Sequence, residues 1–258
     1  MDHAALLALF DRDLREGARP DGPGARVERT GGVVRQTCTV QGWNGVLWSA
    51  LDEDTADAAI ARQVGHYTGL GLRFEWKLYG HDRPADLGQR LRAAGFTPGP
   101  PETLMIGEIS RLDLDARPPR GVRLVPVTDA HGVGLVTDVH ERAFAADSSW
   151  LRRELLARLA AGPDTPVAVV AVAGGEPVGA GRAELVPGTP FAGLWGGGIV
   201  PEWRGRGIYR ALVAHRAHAA AARGHDLLQV DASDRSRPIL ERLGFAPLTS
   251  TTPYVHTP

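Results

Sequence analysis

The stretch Ile199-Val200-Pro201-Glu202-Trp203-Arg204-Gly205-Arg206-Gly207-Ile208-Tyr209-Arg210-Ala211-Leu212 decides the reading of this 258-residue chain. It reads as a strand that ends at a proline, crosses a short Arg/Gly loop and enters a helix. Gly205 and Gly207 lack a Cβ, so the backbone can turn tightly there and approach a ligand. The amides from Gly205 to Tyr209 then lie at a helix N-terminus, where unsatisfied donors and the helix dipole favour an anion. Arg204 and Arg206 add formal charge beside it, and a pyrophosphate matches that arrangement. An isolated Arg-Gly-Arg-Gly reads as a surface turn with solvated arginines, but this one joins a strand to a long helix. It has no Walker lysine followed by Ser or Thr and no third glycine of a dinucleotide fingerprint, which leaves coenzyme A as the better partner.

The sequence around the loop alternates strands and helices. Val122–Val127 has strand character, Asp129–Ala145 reads as a helix, and Ser149–Ala161 is a second helix with Ser148 or Ser149 as N-cap. Val167–Ala173 is a buried strand, and Gly174-Gly175-Glu176-Pro177 turns it into Val178–Leu185. Phe191–Val200 is a glycine-rich strand. Gly207–Arg223 is a helix with Ile208, Leu212, His215, Ala219 and Ala222 along one face. A strand at Asp226–Ala232, a short helix at Ser236–Leu243 and a last strand or two from Phe245 complete the order. The fold class is α/β, a mixed central sheet with flanking helices.

Asp113–Gly121, with Pro118-Pro119, reads as a linker, because consecutive prolines neither continue a helix nor join a central strand. It predicts domains at residues 1–115 and 120–258. His81–Pro98 and Ser233–Pro247 both run Asp-Arg, Pro, a short helix with Arg-Leu, then Gly-Phe-x-Pro, which suggests duplication. Chance is the competing reading, since glycine commonly caps helix C-termini. The first half also carries strands at Val33–Val40, Trp43–Leu51 and Leu72–Leu78, and helices at Thr55–Thr68 and Asp86–Ala94.

Lys+Arg at 29 against Asp+Glu at 30 leaves a net charge of −1, so no overall basic field holds nucleic acid or an anionic membrane. The only cysteine, Cys38, cannot form an internal disulfide, and no Cys/His cluster suggests a metal site. The apolar run Ala4–Phe10 is followed at once by charges and reads as an amphipathic helix, not a signal peptide. No stretch approaches the ~20 apolar residues of a membrane span. A reducing, cytoplasmic setting is the expectation.

From Val122 to Tyr254 the sequence resembles the GNAT superfamily of acyl-CoA-dependent N-acyltransferases. The family's Arg/Gln-x-x-Gly-x-Gly/Ala loop is matched by Arg204, Gly207 and, imperfectly, Tyr209. Its strand-ending hydrophobic-x-Pro is matched by Ile199-Val200-Pro201, and its closing Leu-Gly-Phe by Leu243-Gly244-Phe245. The resemblance implies that Ile199 and Val200 hold the pantetheine of acetyl-CoA, and that Arg204, Gly205, Arg206, Gly207, Ile208 and Tyr209 hold its phosphates. It also implies an N-acetyltransferase acting on a primary amine of a small molecule or peptide by direct attack in a ternary complex, without a metal. The first half reads as a degraded copy that keeps the Gly95-Phe96 ending but has no Arg/Gly loop; a monomer with two pseudo-symmetric halves follows. Many members carry a tyrosine four residues before the final Gly, as acid for the departing thiolate; here that position is Leu240.

The chemistry needs a base for the amine and a donor for the oxyanion. The amide of Val200 or Ile199 is the natural donor. Glu184 and Asp231, at the ends of neighbouring strands, are the candidate bases, each with an ordinary strand-end reading beside it. Ser233 and Tyr254 are candidate acids. His140, Glu141 and Asp147 lie where acceptors often approach, but read first as a solvated helix face. Trp195 and Trp203 read as core or acceptor lining. A CoA-binding sensor or scaffold that has lost catalysis, or an interaction protein using the first half, are the competing functions.

Overall fold

The computed structural model describes residues 2–22, 24–40, 42–161 and 167–258. The chain divides into two compact units: Met1–Leu104 with Asp231–Asp234 and Pro247–Pro258, and Met105–Val230 with Arg235–Ala246. The stretch Asp113–Gly121 lies inside the second unit.

In the first unit, α1 (His3–Phe10) starts under an Asp2 cap and continues as a π-helical segment, Asp11–Glu16. Strands β1 (Ala25–Thr30), β2 (Val33–Cys38) and β3 (Gly45–Ser49) form an antiparallel meander. The charged run of β1 gave no strand signal in the sequence; its pairing with the apolar β2 makes it one. Helix α2 (Ala56–Gly69) then crosses to β4 (Phe74–Tyr79), which pairs parallel with β3 at Gly45↔Glu75 and Val46↔Trp76. The short α3 (Leu87–Ala93) and β5 (Thr97–Pro98) follow. Ile60, Tyr67, Phe74 and Trp76 fill the core.

Strand β6 (Glu102–Glu108) carries the chain into the second unit. There β7 (Val122–Pro126), β8 (Val167–Ala173), β9 (Glu176–Leu185) and β10 (Phe191–Ile199) pair antiparallel in sequence. Helices α4 (Ala130–Phe144) and α5 (Ser149–Ala161) lie between β7 and β8 in the chain. Helix α6 (Ile208–Ala221) crosses from β10 to β11 (Leu227–Ala232), which pairs parallel with β10. This is the crossover geometry that parallel neighbours require. The core joins Val133, Val136 and Val139 of α4 to Val169, Val178, Ile208 and Leu212.

Helix α7 (Arg237–Arg242) ends at Gly244, and β12 (Ala246–His256) follows. The strand expected after Phe245 thus exists, but it returns to the first unit, pairing antiparallel with β4 from Thr251↔Tyr79 to His256↔Phe74. The two similar sequence segments have the same cap. Phe96 N–H donates to Leu91 O and Phe245 N–H to Leu240 O, both at 3.0 Å, around Gly95 at φ +90° and Gly244 at φ +99°. Such a cap closes many helices. The element order β1-β2-β3-α2-β4-α3 of the first unit also parallels β8-β9-β10-α6-β11-α7 of the second.

Candidate functional site

The site begins where β10 and β11 part. Their parallel ladder runs from Phe191↔Leu227 to Gly193↔Gln229 and stops. Two residues later β10 bulges: Trp195 faces Arg182, but Gly198 faces Ala180, so β10 holds one extra residue. Gly196 sits in the bulge at φ +58°, a conformation that favours glycine. Past the bulge, Val200 N–H donates to Val178 O at 3.1 Å. Alternation along an antiparallel pair then turns the N–H of Ile199 away from β9. Of the two expected backbone donors, Ile199 is the open one and Val200 is committed to β9.

The loop follows as a 3-10 turn, Pro201–Trp203, and Gly207 starts α6 at φ +82° with no side chain capping the helix. Gly205 is at φ +74°, and a Cβ built on either glycine meets nothing within 4 Å. Positive φ explains the glycines, and the space beyond them is open to a ligand at the uncapped amides. Arg204 has another task. Its Nε donates to Ile199 O at 3.1 Å and its Nη2 to Ala143 O at 3.0 Å, bracing the strand end against the C-terminus of α4, and its own N–H donates to Pro201 O. These donors of Arg204 are thus engaged by backbone carbonyls, which leaves the helix-start amides after Gly205 as the uncapped donors of the loop. Arg206 is exposed, donates to Glu202 O and lies over the Trp203 ring at 4.5 Å.

Tyr209 turns inward. A Cβ on Gly197 of the bulge meets its Cε2 at 3.0 Å, and its hydroxyl is hydrogen-bonded with Ser236, at the start of α7. Burial pushes the phenol above its ordinary range, against Arg216 and the Ser236 bond. Arg216, on the same helix two turns on, is 1 % exposed. It donates to Leu212 O and Arg182 O, and among the described residues no carboxylate pairs with it. Burial lowers it to about 10, Tyr209 opposing and Arg182 adding to the fall. Leu240, at the position of the family's acid, is fully buried.

The catalytic candidates separate. Glu184 Oε1 lies 3.0 Å from Arg182 Nε and 3.7 Å from Arg158 Nη1, so this carboxylate is held in an arginine cluster. Asp231, 3 % exposed, pairs with Lys77 Nζ at 2.5 Å in the first unit, a structural ion pair. Ser233 is exposed in the same short segment. Tyr254 lies in the apolar core of the first unit, paired with Trp76 across β12 and β4, with Arg92 over its ring at 5.4 Å. Glu141 and Asp147 are exposed, Asp147 bonding Ser149. His140 departs from the solvated face expected of it. Its Nδ1 is 2.7 Å from the fully buried Ser148 Oγ, and the half-exposed Phe144 and Trp150 flank its ring. Burial first, then Arg182, lower its pKa against the pull of Glu141, which favours neutral imidazole. The sequence named it beside Glu141 and Asp147, and only tertiary packing separates it from them.

The GNAT acetyltransferase family model matches residues 135–245, which span β9, the bulged β10, the glycine loop and α7. Over these residues the chain matches the GNAT family. The whole GNAT-like chain resembles a GCN5-related N-acetyltransferase from Kribbella flavida at TM-score 0.70 and 18% identity, covering 99% of this chain and 94% of that one. It resembles a tandem GNAT protein from the clavulanic acid biosynthesis pathway at TM-score 0.63 and 15% identity, covering 98% and 93%. A functionally unknown conserved protein from Staphylococcus epidermidis matches at TM-score 0.68 and 14% identity, covering 94% and 96%. These identities show a shared fold. No curated protein matches the sequence. Among the described residues, no group of three or more His, Cys, Asp or Glu side chains could hold a metal ion, and no helix is long and apolar enough to cross a membrane.

The first unit differs at the corresponding turn. Between β3 and α2 stand Asp52, Glu53 and Asp54. Asp52 Oδ1 accepts from the amides of Asp54 and Thr55 and from Thr55 Oγ1 at 2.6–3.2 Å. A carboxylate of the chain itself thus accepts the amides of the turn that leads into α2, where an acidic group suits the helix N-terminus.

Proposed function

We propose that the second unit transfers the acetyl group of acetyl-CoA to a primary amine of a small molecule or peptide, by direct attack in a ternary complex. One observation carries the reading: β10 leaves β11 after Gly193 and then runs, through Gly205 and Gly207, into the uncapped N-terminus of α6. The parted strands give an edge for pantetheine, with Ile199 as its backbone partner, and the amides from Gly205 to Tyr209 face the pyrophosphate. Proton removal from the amine falls to His140, whose burial favours the neutral imidazole and which is hydrogen-bonded with Ser148, with Phe144 and Trp150 offering aromatic faces to an incoming ammonium. Glu184 is the weaker candidate, because its carboxylate already serves two guanidiniums.

The first unit is proposed as a degenerate copy that does not bind CoA, in keeping with its parallel element order and its acidic turn. Free-thiol release from acetyl-CoA over a panel of amines tests the function, beside calorimetry with CoA. Binding with no turnover would instead support the sensor or scaffold reading, and no binding would remove both.

A further inference from the structure

Arg216 poses a problem of charge. A guanidinium 1 % exposed, with two backbone carbonyls and no carboxylate among the described residues, is costly to bury. Hydrophobic burial does not explain it, because a methionine would fill the same space at less cost. What it faces is informative. A Cβ on Gly197 of the β10 bulge would lie 3.6 Å from Arg216 Nη2 and 3.0 Å from the Tyr209 ring, so guanidinium and phenol face the same bulged residue. Ser236 bonds the phenol from α7, the short helix that also carries Leu240. The charged groups acting on this pair are Arg216 from α6 itself and Arg182 from β9.

The geometry points to Tyr209 as the proton donor to the departing CoA thiol, in place of the residue missing at Leu240, with Arg216 as the positioning residue that balances the phenolate left behind. The inference rests on the acetyltransferase reading. The amine nitrogen bonds to the thioester carbon, and the resulting intermediate loses its ammonium proton to His140. Collapse breaks the carbon–sulfur bond, the electron pair goes to sulfur, and the Tyr209 proton follows it to give free thiol. The phenolate then carries the negative charge that Arg216 lacks in the resting protein, until solvent returns a proton. A buried cation with only carbonyl partners and no resting counter-charge among the described residues fits a counter-charge that exists only during the reaction.

Two measurements on the full chain test this. Tyr209→Phe should lower kcat with acetyl-CoA by ~10²-fold while its KM stays within threefold, and the loss should shrink with the acetyl ester of an acidic aryl thiol, which leaves without a proton. A change under threefold, or an equal loss on both thioesters, overturns the donor role. Separately, tyrosinate absorbance assigned by difference from Tyr209→Phe should move to higher pH by about one unit in Arg216→Met. Arg216→Lys, which keeps the charge, should restore it. An unmoved titration in Arg216→Met overturns the pairing. The absorbance readout needs no turnover, so a chain that transfers no acetyl group would sink the acetyltransferase reading while the Arg216–Tyr209 coupling is still decided.

Discussion

The amide of Val200 donates to the carbonyl of Val178 at 3.1 Å, and that bond selects the backbone donor available at the end of β10. With Val200 held by β9, its neighbour Ile199 presents its N–H on the opposite side, where the ladder to β11 has already ended at Gly193↔Gln229. Arg204 holds the same point from behind, its Nε on the Ile199 carbonyl. The open edge is therefore a single braced residue, the kind of rigid donor that a developing oxyanion or a pantetheine amide needs.

Gly207→Val should weaken CoA binding tenfold or more, ~1.4 kcal/mol. Gly207 is at φ +82°, where a β-branched residue is strained, and its open side faces the proposed phosphates. Calorimetry on protein of unchanged circular dichroism checks this; wild-type affinity would remove the loop from the site.

Titration with CoA should saturate at one molecule per chain. Asp52 already occupies the start of α2 in the first unit, and its charge repels a phosphate. Two sites of similar affinity would contradict both the acidic turn and the degenerate-copy reading.

His140→Gln should reduce kcat by ~10²-fold with CoA affinity unchanged, whereas Glu184→Gln should change it less than threefold. The contrast follows from their partners: the neutral Ser148 hydroxyl for the imidazole, the guanidiniums of Arg182 and Arg158 for the carboxylate. Steady-state rates on both variants decide it, and the reverse order would restore Glu184 as the base.

Stability should fall as pH drops below about 6.5, the ordinary range of histidine. His66, His140 and His215 all have pKa values lowered chiefly by burial. In each case the unfolded chain binds the proton more readily, so stability is complete above the unfolded pKa and is lost as pH falls toward the folded one. Thermal midpoints between pH 7.5 and 5.5 show the slope, and His140→Gln should flatten it. An unchanged slope in that variant would exclude His140 as a contributor.

Asp231→Ala should destabilise the protein by ~1.5–3 kcal/mol, since it removes the carboxylate paired with the partly buried Lys77 ammonium. Lys77→Met with Asp231→Leu should recover most of that loss. Urea unfolding of the single and double variants measures it, and a single variant as stable as the parent would mean that water solvates Lys77.

The sequence by itself determined the local punctuation. Pro201, Gly205 and Gly207 mark a strand end, a turn and a helix start within seven residues, and each acts through its own backbone dihedrals, which need no distant partner. The helices α2, α4, α5 and α6 were legible for the same reason, from spacing along one segment. What only the tertiary structure decided involves partners far apart in the chain. The apolar spacing of α6 pointed to His215 and Ala219, yet the buried row runs Ile208, Leu212, Arg216 and Ala220, and no local rule places an arginine in a core. Glu184 looked available until Arg158, 26 residues earlier, came to lie beside it. Tyr254 follows the second half in sequence but pairs with Trp76 of the first unit, because a strand takes whatever edge completes its ladder and buries its side chains. The loop could be read from φ and charge; the acid, the base and their neighbours depend on contacts formed only when strands and helices pack.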